Sequence, residues 1–246
     1  MRVTVLGGGG LLGRHLVPLL TETGHEVTTA SRSAETVADI ESGRGLAEAV
    51  ADADLVVHLA SDARKPAKVD VAGTRNLLDV LDRQHLFYMS IVGVDRHPFA
   101  YYQAKYQAEQ LIESSGLTYT ILRATQFHDF VSYFLGAACK PPIALIPKRF
   151  VFQPVHTGDV AAELATIIHA RRTGMQPDFA GPAVHDAEYL ARSLMEAKGR
   201  ERPIINLPVP GKAARAFREG VHTNPDQAMG VTTWEVYLNS QYPDIR

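Results

Sequence analysis

Val3-Thr4-Val5-Leu6 is a short apolar run that passes directly into Gly7-Gly8-Gly9-Gly10-Leu11-Leu12-Gly13, and helical apolar spacing follows over residues 11–20. The glycine stretch holds two overlapping patterns: G-x-G-x-x-G as Gly8, Gly10 and Gly13, and G-x-x-G-x-x-G as Gly7, Gly10 and Gly13. Strand, glycine turn and helix in that order make a phosphate cradle. The turn needs unusual backbone angles, a pyrophosphate must approach the backbone closely, and the helix must pack tightly on the strand. The helix N-terminus then offers free N–H groups to the phosphates. In this strand–turn–helix setting the motif points to a dinucleotide, with Gly7, Gly10, Leu11, Leu12 and Gly13 as its contacts.

The next strand, over residues 26–30, ends at Ser31-Arg32. An acidic residue at that place would accept a hydrogen bond from the ribose 2′-OH of NAD, whereas an arginine accommodates a 2′-phosphate. NADP(H) is therefore the expected cofactor and NAD(H) the alternative. Ser31 and Arg32 are the candidate phosphate contacts, with Arg14 placed to assist.

Apolar runs and helical patterns continue to alternate. A short strand over 36–38, a helix over 45–50 and a strongly apolar strand over 54–59 come next. A helix over 69–81, a strand over 86–90, a helix over 101–114 and a strand over 118–122 come after them. This alternation indicates βαβ units around a parallel sheet covered on both faces. The expected fold is α/β, a Rossmann-type doubly wound parallel sheet with a small C-terminal elaboration. Beyond the segment 127–138 the chain is broken by Pro141, Pro142 and Pro147, then enters a helix over 158–170 that Thr157 begins. Asp186 is a candidate N-cap of a further helix, and Pro203, Pro208 and Pro210 interrupt the chain beyond that helix. We read 1–246 as one domain, with 1–125 the cofactor-binding core and about 126–246 contributing the substrate side.

Composition narrows the function classes. A net charge of -2 across 246 residues gives no basic surplus for nucleic acid or an anionic membrane. The single cysteine, Cys139, supports neither a disulfide framework nor a thiolate zinc site. The histidines form no H-x-x-x-H or carboxylate constellation, so no metal is expected. No G-x-S-x-G elbow is present, which removes the usual hydrolase reading. No apolar run reaches the ~18 residues of a spanning helix, and the apolar N-terminus lacks a cleavage site and reads as a core strand. A soluble cytoplasmic protein, monomer or homodimer, is expected, acting on a small molecule.

Taken together, these pieces resemble the short-chain dehydrogenase/reductase superfamily, closest to the atypical and extended branch with the NmrA-like proteins and sugar-nucleotide epimerase relatives. The resemblance covers residues 1 to about 170 and extends to actinobacterial members of the branch. Asp39-Ile40 resembles the acidic–aliphatic pair that borders adenine, though it follows Arg32 so soon that the third strand must be short. His58-Leu59-Ala60 resembles the fourth-strand end that lies against the cofactor, which implicates Leu59, Ala60 and Ser61. Val71-Ala72-Gly73-Thr74-Arg75-Asn76-Leu77-Leu78 resembles the family's next helix, Tyr119-Thr120-Ile121-Leu122-Arg123 its sixth strand, and Pro154-Val155-His156-Thr157-Gly158-Asp159-Val160-Ala161 a late motif before a helix. Leu6 departs from the threonine many relatives carry before the glycines, and the C-terminal part is shorter than in typical sugar-nucleotide epimerases.

Tyr101 and Lys105 form Y-x-x-x-K, which puts both side chains on one helix face. A phenol with pKa near ~10 is a poor acid–base group at neutral pH, and a nearby ammonium lowers that value. The resemblance implies that Lys105 also holds the nicotinamide ribose and that Tyr101 exchanges a proton with the substrate oxygen. It implies too that Ser90 hydrogen-bonds the reacting oxygen. Ser90 lies eleven residues before Tyr101, a short separation, and is followed by Ile91 where many relatives have a second serine. Serving only to form a turn is the other reading of Ser90. Tyr102 is expected to pack or to line a pocket. Gln126, Phe127 and His128 come after the sixth strand and are the candidate substrate contacts, unless His128 turns inward against Asp129. Phe127, Phe130, Phe150 and Phe152 suggest an apolar or aromatic substrate, with core packing the other use for some of them.

The function these features imply is an NADP-dependent oxidoreductase acting on a carbonyl or alcohol. The alternatives are a non-catalytic NAD(P)-binding sensor, an epimerase or isomerase, and a natural-product tailoring oxidation on the same fold.

Overall fold

The computed structural model describes residues 1–243, so the last three residues of the expected domain lie outside it. The chain opens with β1 (Arg2–Leu6), α1 (Gly13–Glu22), β2 (Glu26–Ser31), β3 (Thr36–Val37), α2 (Leu46–Val50) and β4 (Leu55–His58). All four residues of β4 are buried, as an apolar strand covered on both faces requires. α1 stops where Gly24 takes φ +82°, a left-handed conformation that ends helices and favours glycine.

The helix expected over 69–81 begins differently. Residues Ala67–Ala72 form a wide π-helical turn, with the Gly73 N–H bonded to the Lys68 carbonyl, before α3 (Gly73–Leu78) takes over. The Thr74 hydroxyl donates to the Asp70 carbonyl at 2.6 Å, within this wide turn. The local widening turns Asp70 fully into the interior, a placement that periodicity alone does not distinguish from an ordinary helix.

Next in the chain are β5 (His85–Ile91), α4 (Ala100–Glu113) and β6 (Tyr119–Ala124), then α5 (His128–Ala138), β7 (Ala144–Pro147) and β8 (Val151–Phe152). The chain then returns to the main sheet through α6 (Thr157–His169) and β9 (Gly174–Met175). It closes with β10 (His185–Asp186), α7 (Ala187–Ala197), β11 (Ile204–Leu207), α8 (Lys212–Glu219) and α9 (Trp234–Gln241). Asp186 caps α7, its carboxylate accepting the Tyr189 N–H at 2.8 Å.

Among the described residues, seven strands pair in the order β3-β2-β1-β4-β5-β6-β9, and every pairing is parallel. The order reverses between β1 and β4, so a crevice opens at the carboxyl ends of those strands. Leu6 pairs with Ala30 on one side and His58 on the other, and the glycine turn starts at that level. One core layer packs α1 and α6 on the sheet through Leu16, Leu20, Val160 and Leu164. The other packs α2, α3 and α4 through Leu46, Leu77, Ala108 and Ile112. Leu16 is completely buried, and its truncation to alanine is expected to cost about 2–5 kcal/mol.

The C-terminal part has a core of its own, where Val131 and Leu135 of α5 meet Leu190 and Leu194 of α7 and Trp234 of α9. Two small sheets, β8 with β10 and β7 with β11, tie this part together. These strands are short, and they pair across long sequence separations.

Candidate active site

The glycine turn forms one wall of the crevice. Gly7 has φ +84°, and a Cβ there would lie 3.0 Å from the Ala60 amide nitrogen. A Cβ on Gly13 would overlap the Gly8 backbone, so α1 packs on the turn only because Gly13 lacks a side chain. The Gly10 N–H closes the turn on the Gly7 carbonyl at 2.9 Å, and Gly10 faces the cleft. Bare backbone at the start of a helix is what a pyrophosphate requires, so these residues fit a dinucleotide.

Two cavities adjoin at Gly7 and Ser61. The smaller, about 200 Å³, is lined by Ser31, Arg32, Asp39, Ile40 and Ala60, the residues expected around the adenosine end. Asp39 also holds its own loop: its carboxylate accepts from the Ser42 hydroxyl at 2.7 Å and the Glu41 N–H at 3.2 Å. These bonds keep its pKa below the usual carboxylate value. Lys65 lines the same cavity, 3.6 Å from Glu41.

The larger cavity, about 420 Å³, gathers Gly7, Gly10, Leu11, Leu12, Gly13, Leu59 and Ser61 with Ser90, Tyr101, Lys105, Gln126 and Phe127. The short link between Ser90 and Tyr101 suffices because residues after β5 fold into a tight turn. Gly93 takes φ +78°, and its carbonyl accepts the N–H groups of Arg96 at 3.1 Å and His97 at 2.9 Å. The Ser90 hydroxyl is buried without a hydrogen-bond partner among the described residues, and Ser90 lines the cavity. A buried unpaired hydroxyl is costly, and a ligand oxygen would satisfy it.

Lys105 is nearly excluded from solvent. Its Nζ donates to the Met89 carbonyl at 2.9 Å, lies 3.4 Å from Asp70 Oδ1 and sits 4.6 Å from the centre of the Tyr88 ring. Burial lowers its pKa, while the Asp70 carboxylate opposes that shift. Asp70 Oδ1 also accepts the Ser61 hydroxyl at 2.6 Å, and Ser61 Oγ lies 2.9 Å from the Tyr101 hydroxyl. Burial and the Asp70 charge hold the Tyr101 phenol protonated by raising its pKa. Behind Lys105, the buried His58 ring meets Thr74 Oγ1 at 3.1 Å. Burial, reinforced by the lysine charge, pushes its pKa down to about 3.

His128 does not join the cavity. It is completely buried, with its ring 4.9 Å from that of Tyr237 and 5.7 Å from that of Trp234. The first residue of α5 turns into the C-terminal core rather than toward the crevice, and burial pushes its pKa down to about 4. Phe127, Phe130 and Phe152 line the cavity, whereas Phe150 stacks on Phe217 at 5.1 Å. Tyr102 lines it too, its ring stacked on His97 at 4.4 Å.

Sequence reasoning missed Asp70, Phe99 and Phe217. Asp70 stands just before the Val71–Leu78 motif, and its signal is an acid in an otherwise apolar helix start. Phe217 comes from α8, more than a hundred residues after Tyr101, and no local signal places it in the wall. Among the described residues no group of three or more metal-ligating side chains is assembled, and no helix is long and apolar enough to cross a membrane.

A switch-point crevice with a bare glycine turn defines a dinucleotide-binding α/β protein. Residues 7–170 match the NAD(P)H-binding family, so the chain belongs to that family. An uncharacterized protein of Mycobacterium tuberculosis is 28% identical over 227 residues, covering 85% of this chain but 24% of that protein. The chain thus spans about a quarter of the length of the curated relatives it matches. Similar solved structures include an NADPH-dependent quinone oxidoreductase from Escherichia coli complexed with NADPH, at TM-score 0.82 and 16% identity, covering 98% of this chain and 100% of that one. A nucleoside-diphosphate-sugar epimerase from Staphylococcus aureus superposes at TM-score 0.78 and 20% identity, over 97% and 99% of the two chains. A short-chain dehydrogenase/reductase superfamily protein from Agrobacterium tumefaciens with bound NAD gives 0.72 and 17%, over 99% and 96%. At these identities the likeness is one of fold.

Proposed function

We propose that this chain is an NADPH-dependent reductase of small, apolar, planar carbonyl compounds, with quinones the substrate class that fits best. The observation that carries this reading is the lining of the larger cavity. Lys105 is its only charged side chain among the described residues, and six aromatic rings of Phe99, Tyr102, Phe127, Phe130, Phe152 and Phe217 face it beside Tyr101 and Ser90. A nucleotide-sugar diphosphate needs several cationic donors along its length, whereas Lys105 is the one cation among the described residues of this wall. A flat apolar ring gains from aromatic stacking. The named activity of the Escherichia coli quinone oxidoreductase agrees with this choice.

Gly7, Gly10, Leu11, Leu12 and Gly13 hold the pyrophosphate. Ser31 and Arg32 hold the 2′-phosphate, while Asp39 and Ile40 border the adenine. Leu59, Ala60 and Ser61 lie along the remaining length, and Lys105 binds the nicotinamide ribose. NADPH, when bound, supplies the hydride. Tyr101 donates a proton from its hydroxyl to the substrate oxygen, which Ser90 Oγ orients, and the aromatic wall with Gln126 excludes water. Residues 1–125 thus supply the cofactor side, and the later chain closes over the substrate.

The test is NADPH titration by fluorescence, followed by NADPH oxidation with a panel of quinones, aromatic ketones and nucleotide sugars. Turnover of quinones is the expected result. Absence of NADPH binding, or turnover confined to nucleotide sugars, overturns the reading. Tight binding with no turnover across the panel favours the sensor.

A further inference from the structure

Asp70 is completely buried, yet one of its oxygens serves two partners. Oδ1 lies 2.6 Å from Ser61 Oγ and 3.4 Å from Lys105 Nζ, and the backbone N–H of Asp62 approaches Oδ2 at 3.5 Å. A carboxylate only accepts, so the single Ser61 proton is committed to Asp70. At the 2.9 Å contact between Ser61 and Tyr101 the phenol is therefore the donor. The chain of donors runs from Tyr101 through Ser61 to Asp70, and Lys105 reaches the same oxygen of that carboxylate.

We propose that Asp70 is a positioning residue of the reductive site: it fixes Lys105 directly and Tyr101 through Ser61, and its negative charge keeps both groups protonated. The inference rests on the reductase reading for its catalytic meaning, although the protonation it describes belongs to the protein alone. A buried ammonium without a counter-charge tends to lose its proton. Asp70 supplies the nearest counter-charge, beside the Met89 carbonyl and the Tyr88 ring. The same charge disfavours a phenolate on Tyr101. A reductase needs both effects, because the phenol must arrive at the substrate oxygen as an acid.

Other titratable groups around the carboxylate contribute less than Asp70 does. Glu109, on α4 with Lys105, also favours the charged lysine but less than Asp70, and its carboxylate is paired with Arg123 through contacts of 2.9 and 2.6 Å. Tyr88 of β5 is kept protonated by burial first and by Asp70 second. His58 of β4 stays neutral through burial. The Asp62 charge also raises the Tyr101 pKa, by less than Asp70, while its carboxylate accepts the Arg64 N–H at 2.9 Å.

The experiment follows Lys105 and Tyr101 by NMR of protein carrying ¹³C-labelled lysine and tyrosine, their signals assigned by loss in Lys105→Arg and Tyr101→Phe. In the wild-type protein Lys105 is expected to stay charged at neutral pH despite its burial. In Asp70→Asn the first proton lost by the Tyr101–Lys105 pair is expected to leave at a pH lower by about one unit or more, the size of effect that a nearby charge exerts. In Ser61→Ala, Lys105 is expected to titrate as in wild type, because its contact with Asp70 is direct. The basic limb of the pH profile for quinone reduction is expected to move down in Asp70→Asn along with the NMR titration.

Unchanged titration in Asp70→Asn overturns the proposal, as does Ser61→Ala displacing Lys105 by as much as Asp70→Asn does. Should circular dichroism show Asp70→Asn unfolded, the wild-type measurement decides, and a neutral Lys105 at pH 7 overturns the proposal. If the titrations move as expected while wild-type protein reduces no quinone, the role of Asp70 stands and the assigned reaction fails.

Discussion

The Tyr101 hydroxyl rests 2.9 Å from Ser61 Oγ, a contact between residues forty positions apart that sits where the two cavities of the crevice join. This bond holds the phenol at that junction. To protonate a substrate oxygen, the hydroxyl must exchange Ser61 for that oxygen, which Ser90 would hold from β5.

Tyr101→Phe is therefore expected to leave NADPH affinity nearly unchanged and to lower turnover by about 10²-fold or more, the usual contribution of a positioned acid–base group. Ser90→Ala should fall between that variant and wild type. Steady-state kinetics with a quinone and calorimetry with NADPH separate the two effects. Full activity in Tyr101→Phe would show that the proton comes from another group.

The glycine turn separates binding from folding. Gly10→Val is expected to abolish NADPH binding with a small change in thermal midpoint, because its side chain would enter the path of the pyrophosphate. Gly13→Ala is expected to lower the midpoint as well, since its Cβ would overlap the Gly8 backbone. Calorimetry and thermal unfolding read the two properties. Undiminished binding in Gly10→Val would place the phosphates elsewhere.

Arg32 lines the smaller cavity beside Ser31. NADPH is expected to bind at least about tenfold more tightly than NADH, roughly 1.4 kcal/mol, within reach of one charge-assisted contact to phosphate. Arg32→Ala should erase that preference by weakening NADPH alone. Equal affinities in the wild type, measured by fluorescence titration, would contradict the assignment.

Stability should fall with acidification. His58, His128 and His222 are completely buried, and burial pushes their pKa values down to about 3, about 4 and about 3. In the unfolded chain they titrate near ~6.5. Between those limits the unfolded state binds more protons than the native one. Their stabilisation is thus complete above about pH 6.5 and is lost as the pH falls toward the folded values, by up to about 1.4 kcal/mol per pH unit for each histidine. Thermal unfolding at about pH 7.5 and about pH 5 checks this, and an unchanged midpoint would refute it.

Much of the first half of the chain was legible because its determinants are local. The β1 run, the glycines and the start of α1 occupy consecutive residues, and Gly7 and Gly13 answer steric demands from the neighbouring β4 end and from within the turn. The Tyr101–Lys105 spacing guarantees a shared helix face whatever surrounds it, and Asp186 caps its helix through a bond three residues long. Hydrophobic periodicity fixed the order of strands and helices for the same reason.

What the sequence could not decide depends on contacts between distant segments. The π-helical turn that carries Asp70 inward differs from an α-helix by one hydrogen-bond step, too little to alter the apolar pattern. Whether His128 faced the crevice or the core was settled by Trp234 and Tyr237, which arrive from α9. Phe217 reaches the cavity only because α8 packs beside β8 and the His97–Tyr102 stack. The sequence by itself determined the parallel α/β scaffold and the phosphate cradle, since those arise from backbone sterics and short-range periodicity. The tertiary structure alone decided the carboxylate behind Lys105 and the aromatic wall, because burial and charge are properties of what folds against a residue and not of its neighbours in the chain.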